Sequence, residues 1–359
     1  MSNAAPDQHD RPTFAIVGAG VIGKQHGKVM TELGHQVELV AVVDVDLPRA
    51  DALAAERGGR PYASLAEALA NEEIDVVSVC TPTGLHGTVA IEALKAGRNV
   101  IIEKPAEVTV EKTDEIIAAQ REAGTLVSVI SQHRFDPATE VAVAAIEAGE
   151  LGRLTSGIAS IDWWRGQSYY DSGDWRGTWE LDGGGALMNQ GVHTVDLLIA
   201  AMGRPVEVFA YTGAVAHERI ETEDVAAAVV KFESGALGVI HATTAAYPGL
   251  SARVHVHGDR GSVVLDDDQL SYVHLADDEV DDDLGNQVDR YAETQARSAA
   301  AGRDPGQLSD AHRLQYLNIL AALEGREKLR VDLETNRRSV AVITGAYESA
   351  RTGKPVVLS

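Results

Sequence analysis

The chain has 359 residues, 45% of them hydrophobic and 24% charged, which is enough for two domains of ordinary size with separate cores. Its 54 acids against 31 bases give a net charge of −23, which argues against nucleic acid and anionic membranes as partners, since both need clustered Lys and Arg. The single cysteine, Cys80, excludes an internal disulfide, no apolar run approaches the ~18 residues of a membrane span, and residues 1–11 read as a polar tail without a signal peptide's apolar stretch, so a cytoplasmic protein is expected.

Residues 14–17 form a short apolar run that reads as a strand buried on both faces. Gly18, Gly20 and Gly23, with Val21 and Ile22 between the last two, then give G-x-G-x-x-G, and Val29, Met30 and Leu33 continue a helical pattern. The first glycine allows a sharp turn, the second lets backbone approach a pyrophosphate, and the third lets helix pack on strand. The helix N-terminus offers free N–H groups to that anion. A second run, 37–43, ends at Asp44, 21 residues past Gly23, where a dinucleotide fold places an acid for the ribose hydroxyls. Asp44 repels a 2′-phosphate, so NAD is expected over NADP, with Arg49 near enough in sequence to keep NADP open.

Residues 47–57 read as a helix, and Ser64 with Glu67 makes a capping box for a helix over 65–70. A buried strand over 75–80 runs into the turn T-P-T-G-L-H, a helix over 87–96 stops at Gly97, and the strand 99–102 ends in Glu103-Lys104-Pro105. A helix over 110–123 and a strand over 126–131 complete a βαβ series. Such a series folds as a doubly wound parallel sheet that binds ligand beyond its strand carboxyl ends. Asp44, Thr81, Pro82, His86, Glu103 and Lys104 fall at those ends and are expected to surround the cofactor. The dinucleotide-binding domain is placed at residues 12–131.

Residues 132–359 are read as an α+β substrate-binding and oligomerisation domain. It starts with a helix over 137–148 and a strand over 154–162. An aromatic, glycine-rich segment and a helix over 186–202 follow. Strands then begin near 206, 225, 236, 253, 262 and 270 and predict a mostly antiparallel sheet with one face on helices. The other face is assigned to a second subunit, giving a homo-oligomer, dimer or tetramer. The acidic run 277–283 reads as a solvated loop. Residues 308–323 and 333–351 read as helices, the latter expected to return to the first domain.

Lys104, at a strand end beside an X-Pro bond that can be cis, can hold a substrate oxygen and stabilise negative charge on it. The second centre is G-G-G-A-L-M-N-Q-G-V-H-T-V-D, residues 183–196. On one helix Asn189, His193 and Asp196 share a face, with Leu187, Val195, Leu198 and Met202 opposite. The three glycines leave room for a flat ring or a close backbone approach, and a histidine is a natural proton acceptor for an alcohol. All four tryptophans, Trp163, Trp164, Trp175 and Trp179, fall within seventeen residues, with Tyr169, Tyr170, Arg165 and Arg176 among them. Aromatic faces suit a sugar ring and arginines suit hydroxyls or an anion, so Trp163 and Arg176 are candidate substrate residues; a core or subunit contact is the competing reading. His255 and His257 lack a third ligand, so no metal is expected.

Taken together, G-A-G-V-I-G at 18–23, C-T-P-T-G-L-H at 80–86, E-K-P at 103–105 and the glycine-rich segment resemble the glucose–fructose oxidoreductase, inositol dehydrogenase and rhizopine-catabolism family (Gfo/Idh/MocA) over nearly the whole chain. The resemblance implies that Lys104 orients a reacting hydroxyl, that His193 is its acid/base, and that Gln132, His133, Arg134 and Phe135 line the pocket. Many members have aspartate where this chain has Asn189, which orients an imidazole but stabilises an imidazolium less well. The expected reaction is hydride transfer between NAD and a ring hydroxyl of a sugar, sugar derivative or cyclic polyol. Two alternatives stay open at this point: a tightly bound NAD that transiently oxidises a glycoside, and a non-catalytic NAD(P)H sensor.

Overall fold

The computed structural model describes residues 11–276, 285–300 and 309–359; the tail 1–10 and the acidic run 277–283 lie outside them. Two compact units divide the chain. The first holds residues up to Ala106, Lys112–Ile130 and His312–Leu333, and the second holds Glu107–Glu111, Ser131–Ala311 and Glu334–Ser359.

In the first unit, β1 (Thr13–Val17), α1 (Val21–Glu32), β2 (Glu38–Val43), α2 (Leu47–Arg57), β3 (Arg60–Tyr62), α3 (Leu65–Asn71), β4 (Val76–Val79), α4 (His86–Lys95), β5 (Asn99–Ile102), α5 (Val110–Ala123) and β6 (Val127–Val129) alternate. The six strands run parallel in the order β3-β2-β1-β4-β5-β6. Alternate residues of each strand feed two cores. Phe14, Ile16, Val76 and Ile101 pack on one face with Val29 and Met30 of α1, while Ala15, Val17, Val77 and Ile102 pack on the other with Ala90 and Leu94 of α4. Burial on both faces explains the unbroken apolar runs. The strand β3 escapes sequence reading because it is three residues, R-P-Y, at the sheet edge, where proline is tolerated.

The second unit carries α6 (Pro137–Glu147), β7 (Leu154–Asp162), the short α7 (Gln167–Tyr170), a π-helical turn (Ala186–Gln190) and α8 (Val192–Met202). After these come β8 (Pro205–Gly213), β9 (Val225–Phe232), β10 (Leu237–Thr243), β11 (Ala252–Gly258), β12 (Gly261–Asp266), β13 (Gln269–Leu275) and α9 (Ala292–Ala300). After α10 (Ser309–Leu323), α11 (Leu333–Thr352) and β14 (Val356–Val357) close the chain. The eight strands are ordered β13-β12-β11-β7-β10-β9-β8-β14, antiparallel except for β7 beside β10. One face packs on Val195, Leu198, Ile199 and Met202 of α8. The other leaves Tyr211, Val229, Leu237 and Val239 exposed.

Two expectations are corrected. The 186–202 helix is broken, with a π-helical turn leading through Gly191 into α8. And α10, not the 333–351 helix, returns to the first unit, where Tyr316, Ile319 and Leu320 join the core around Phe14. The helix α11 must stay over the second sheet because the chain after it adds β14 to the β8 edge, and Val342, Ile343 and Ala346 pack with Val208.

The seat of α8 depends on a close approach. A Cβ on Gly157 of β7 would lie 2.6 Å from Leu198 Cδ1 and 3.0 Å from Met202 Sδ. Gly157→Val is therefore expected to destabilise the second unit by about 1–3 kcal/mol, read from its denaturant midpoint.

Candidate active site

At the carboxyl end of β1 the chain needs glycine twice for steric reasons. Gly18 has φ +102° and its Cβ would lie 2.5 Å from Cys80 O, and a Cβ on Gly23 would lie 1.9 Å from Gly18 O. Gly20 differs: nothing lies within 4 Å of a Cβ placed there, and it opens α1 without a side-chain cap. Val21 is exposed and Ile22 half-buried. A helix start without a side-chain cap, with room for close approach at Gly20, suits a bridging pyrophosphate. Asp44 Oδ2 accepts from Ala19 N (2.8 Å) and its Oδ1 from Asp46 N (2.9 Å), which fixes the carboxylate beside the turn. Arg49 is paired with Asp46 at 2.9 Å rather than held toward Asp44. The buried Thr81 hydroxyl has no hydrogen-bond partner among the described residues, and Pro82 follows it at the end of β4. These features fit a dinucleotide.

The two His86 ring nitrogens each lie 2.9 Å from a carbonyl oxygen, that of Pro105 and that of Thr81, tying the ends of β4 and β5 together. Glu103, expected among the cofactor residues, faces inward instead. Its Oε1 accepts from His26 Nε2 (2.8 Å) and lies 3.5 Å from His312 Nε2, while Oε2 accepts from Lys104 N (3.1 Å). Burial works to raise the Glu103 carboxyl, but the two imidazoles outweigh it and hold the group well below the usual carboxylate range. Burial of His26 outweighs its carboxylate and lowers it. His26 Nδ1 lies 2.7 Å from both the Ser78 and Tyr316 hydroxyls, so the network reaches the returning helix α10. Lys104, half-buried and joined to Pro105 by a cis bond, has its backbone anchored by this buried anion.

In the second unit, of residues 182–199 only Asn189 and His193 are not fully buried. Asp196, expected on one helix face with Asn189 and His193, is buried instead. It faces inward and accepts from Arg134 Nε (2.6 Å) and Nη2 (2.7 Å) and from the Ser339 hydroxyl (3.0 Å). Arg134, expected to bind substrate, is accordingly the cation of a buried bidentate pair. Asn189 Nδ2 donates to Asp182 Oδ1, and Asp182 Oδ2 accepts from Gly177 N (2.8 Å). So a carboxylate does stand beside position 189, supplied from seven residues earlier.

The His133 ring stands edge-on to His193, centroids 5.0 Å apart. His133 Nδ1 lies 2.9 Å from carboxylate oxygens of both Asp136 and Asp268. Burial opposes protonation of His133, but Asp268 and Asp136 together hold it well above the ordinary imidazole range. Asp268 reaches it from the tight β12–β13 turn, where Asp267 and Asp268 both have positive φ. Trp163 is half-buried against the sheet core, and Arg176 lies over the Tyr169 and Trp175 rings at 4.2 and 4.4 Å.

The three glycines serve close packing rather than a stacked ring. A Cβ on Gly183 would meet Val108 at 2.6 Å, one on Gly184 the Tyr347 hydroxyl at 2.1 Å, and one on Gly185 the Glu223 carbonyl at 1.8 Å. Glu223, which no sequence signal marked, clasps the π-helical turn. Its Oε2 accepts from Gly185 N (3.0 Å), its Oε1 from Leu187 N (2.7 Å) and Tyr347 OH (2.9 Å), and its own carbonyl from Ala186 N (3.0 Å).

Residues 13–131 match the family model described as "Oxidoreductase family, NAD-binding Rossmann fold", and residues 139–264 the one described as "GFO/IDH/MocA C-terminal domain". The chain is 30% identical over 277 residues to the uncharacterized oxidoreductase YrbE of Bacillus subtilis, covering 73% of this chain and 75% of that one. It is 28% identical over 260 residues to scyllo-inositol 2-dehydrogenase (NAD(+)) of the same organism, covering 70% and 72%. It is similar throughout to the WlbA dehydrogenase from Bordetella pertussis, solved in complex with NADH and UDP-GlcNAcA: TM-score 0.89, 33% identity, 99% of each chain.

Burial pushes the Glu223 carboxyl up to about 7 against the donors that favour its anion. The folded chain then keeps this proton up to about pH 7, whereas a free glutamate loses it near 4.5. The stabilisation is complete below the lower value and is lost as pH rises through the higher one. Glu223→Gln is expected to flatten that loss, which is at most about 1.4 kcal/mol per pH unit, in a series of urea midpoints across this window.

Proposed function

Because the chain belongs to the Gfo/Idh/MocA family of NAD-binding oxidoreductases, which acts on sugar-like substrates, we propose that it oxidises a ring hydroxyl of an acidic sugar or sugar nucleotide with NAD, or reduces the matching ketone. The observation that carries this reading is the isolation of Asn189 and His193 as the only partly exposed residues along a segment otherwise buried on every side. An acidic sugar is supported by the complex of the similar dehydrogenase with UDP-GlcNAcA.

In this reading Gly18, Gly20, Val21, Ile22 and Gly23 bind the pyrophosphate, Asp44 takes the ribose hydroxyls, and Thr81, Pro82 and His86 shape the wall beyond β4. When bound, NAD supplies the acceptor for a hydride from the carbinol carbon. His193 takes the hydroxyl proton at an imidazole nitrogen, and the Lys104 ammonium holds the same oxygen and stabilises the charge that develops there. Asn189, polarised by Asp182, and Trp163 and Arg176 position the sugar. His133 and Arg134 act through their neighbours. We assign the exposed face of Tyr211, Val229, Leu237 and Val239 to a second copy of the chain, and the protein, with its one buried cysteine, to the cytoplasm.

Lys104→Ala and His193→Ala should each lower turnover by about 100-fold or more while NADH binding, followed by nicotinamide fluorescence, is retained. Equal turnover in either variant contradicts the assignment. Asp44→Ala should weaken NAD binding by about 10-fold or more and relieve the repulsion of NADP, narrowing the preference between them.

A further inference from the structure

Around the π-helical turn, four side chains offer more hydrogen-bond donors than the fold supplies acceptors. Gln190, buried, accepts Arg165 Nη2 at its Oε1 (2.9 Å) and donates from Nε2 to Tyr169 OH and to Asn189 Oδ1, both at 2.9 Å. The guanidinium fixes which way the amide points. Tyr169 OH also accepts from Arg176 Nη1 at 2.6 Å. With two donors on its oxygen, the phenol has only its own proton left to give, and no acceptor for it stands among the described residues.

Neither Arg165 nor Arg176 makes an ion pair among the described residues, although the chain has 54 acids to 31 bases. Both guanidiniums are half-buried over aromatic rings, Arg165 at 5.1 Å from Trp163 and 5.6 Å from Tyr169, Arg176 at 4.2 Å from Tyr169. Stacking removes water from a cation and fixes its plane, which readies it for an oxyanion. The backbone at Arg165 is pinned too: its N–H donates to Thr244 O (2.9 Å) and its carbonyl accepts from His217 Nε2 (2.6 Å). Asp182, the carboxylate bonded to Asn189, already accepts from Gly177 N.

We infer that Arg165, Arg176 and the Tyr169 hydroxyl receive an oxyanion of the substrate, and that this pocket makes the chain select charged over neutral sugars. The inference rests on the sugar-dehydrogenase reading above and names its substrate class. A ring carboxylate and a glycosyl diphosphate carry the same chemistry. Bonds from Arg165 through Gln190 lead to Asn189, so the anion is held next to the surface that bears His193.

Calorimetric titration of the NAD-loaded protein with glucose, glucuronate, UDP-glucose and UDP-glucuronate tests it. Wild type should bind at least one charged probe more than about 10-fold tighter than glucose. Arg165→Gln and Arg176→Gln should each lose roughly 10- to 100-fold of that affinity, and with it the preference over glucose. Loss confined to the two uronates identifies a carboxylate; loss confined to the two UDP-sugars identifies the diphosphate. Should a glutamine variant fold poorly, Arg176→Lys, which keeps charge and stem but not the planar fork, should lose an intermediate part. Variants that bind the charged probes like wild type, or a wild type that binds no probe or binds glucose as tightly, overturn the proposal. Charged sugars that bind through the arginines but yield no NADH would leave the pocket standing and remove the dehydrogenase reading. Oxidation of glucose with no preference for the charged probes would do the reverse.

Discussion

The second unit's chemistry depends on one buried carboxyl group, Glu223, closing a backbone turn that no regular helix would make. Gly185 and Leu187 donate to it, Ala186 donates to its carbonyl, and Tyr347 caps it from α11. The extra residue in a π-helical turn shifts every later side chain relative to α-helical spacing. Beyond the turn Asp196 meets Arg134 in the core, while Asn189 and His193 stay half-buried. Desolvation of such a group is unfavourable, and the three hydrogen bonds from Gly185, Leu187 and Tyr347 offset it. These bonds hold the turn that leads into the segment carrying His193.

The molecule's treatment of charge separates support from recognition. Glu103 is surrounded by His26 and His312, Arg134 is matched to Asp196, and His133 is shared between Asp136 and Asp268. Each of these sets is internally complementary and holds backbone or a neighbouring ring in place. Arg165 and Arg176 stand apart, stacked on aromatic rings with no carboxylate among the described residues. In a chain of net charge −23, guanidiniums bonded only to neutral groups among the described residues are the ones we assign to an outside anion.

The first unit was legible in the sequence because its signals are local. Buried parallel strands leave unbroken apolar runs, the glycine spacing is fixed by contacts within the same turn, and the Ser64–Glu67 cap forms as read, with Ser64 Oγ accepting from Glu67 N at 3.2 Å. The second unit's strands were also visible through alternation, and β7 and β9 begin at Leu154 and Val225 as expected. What was hidden depends on partners distant in sequence. Arg134 meets Asp196 across 62 residues, Leu187 meets Glu223 across 36, and His133 meets an aspartate from a turn formed by a separate hairpin. The short β3 and β14 strands carry too few residues to show a period. The glycine triplet showed that something approaches closely there but not what; it is packing partners, Tyr347 and Glu223, not a ring.

The account stands on hydride leaving a sugar ring carbon for NAD. Incubation with NAD and a UDP-uronate deuterated at its ring carbons, followed by mass spectrometry of the nicotinamide, tests this most directly. The account predicts NADH heavier by one deuterium, formed together with a keto sugar. NADH that carries no deuterium, or a keto sugar without any NADH, would contradict it.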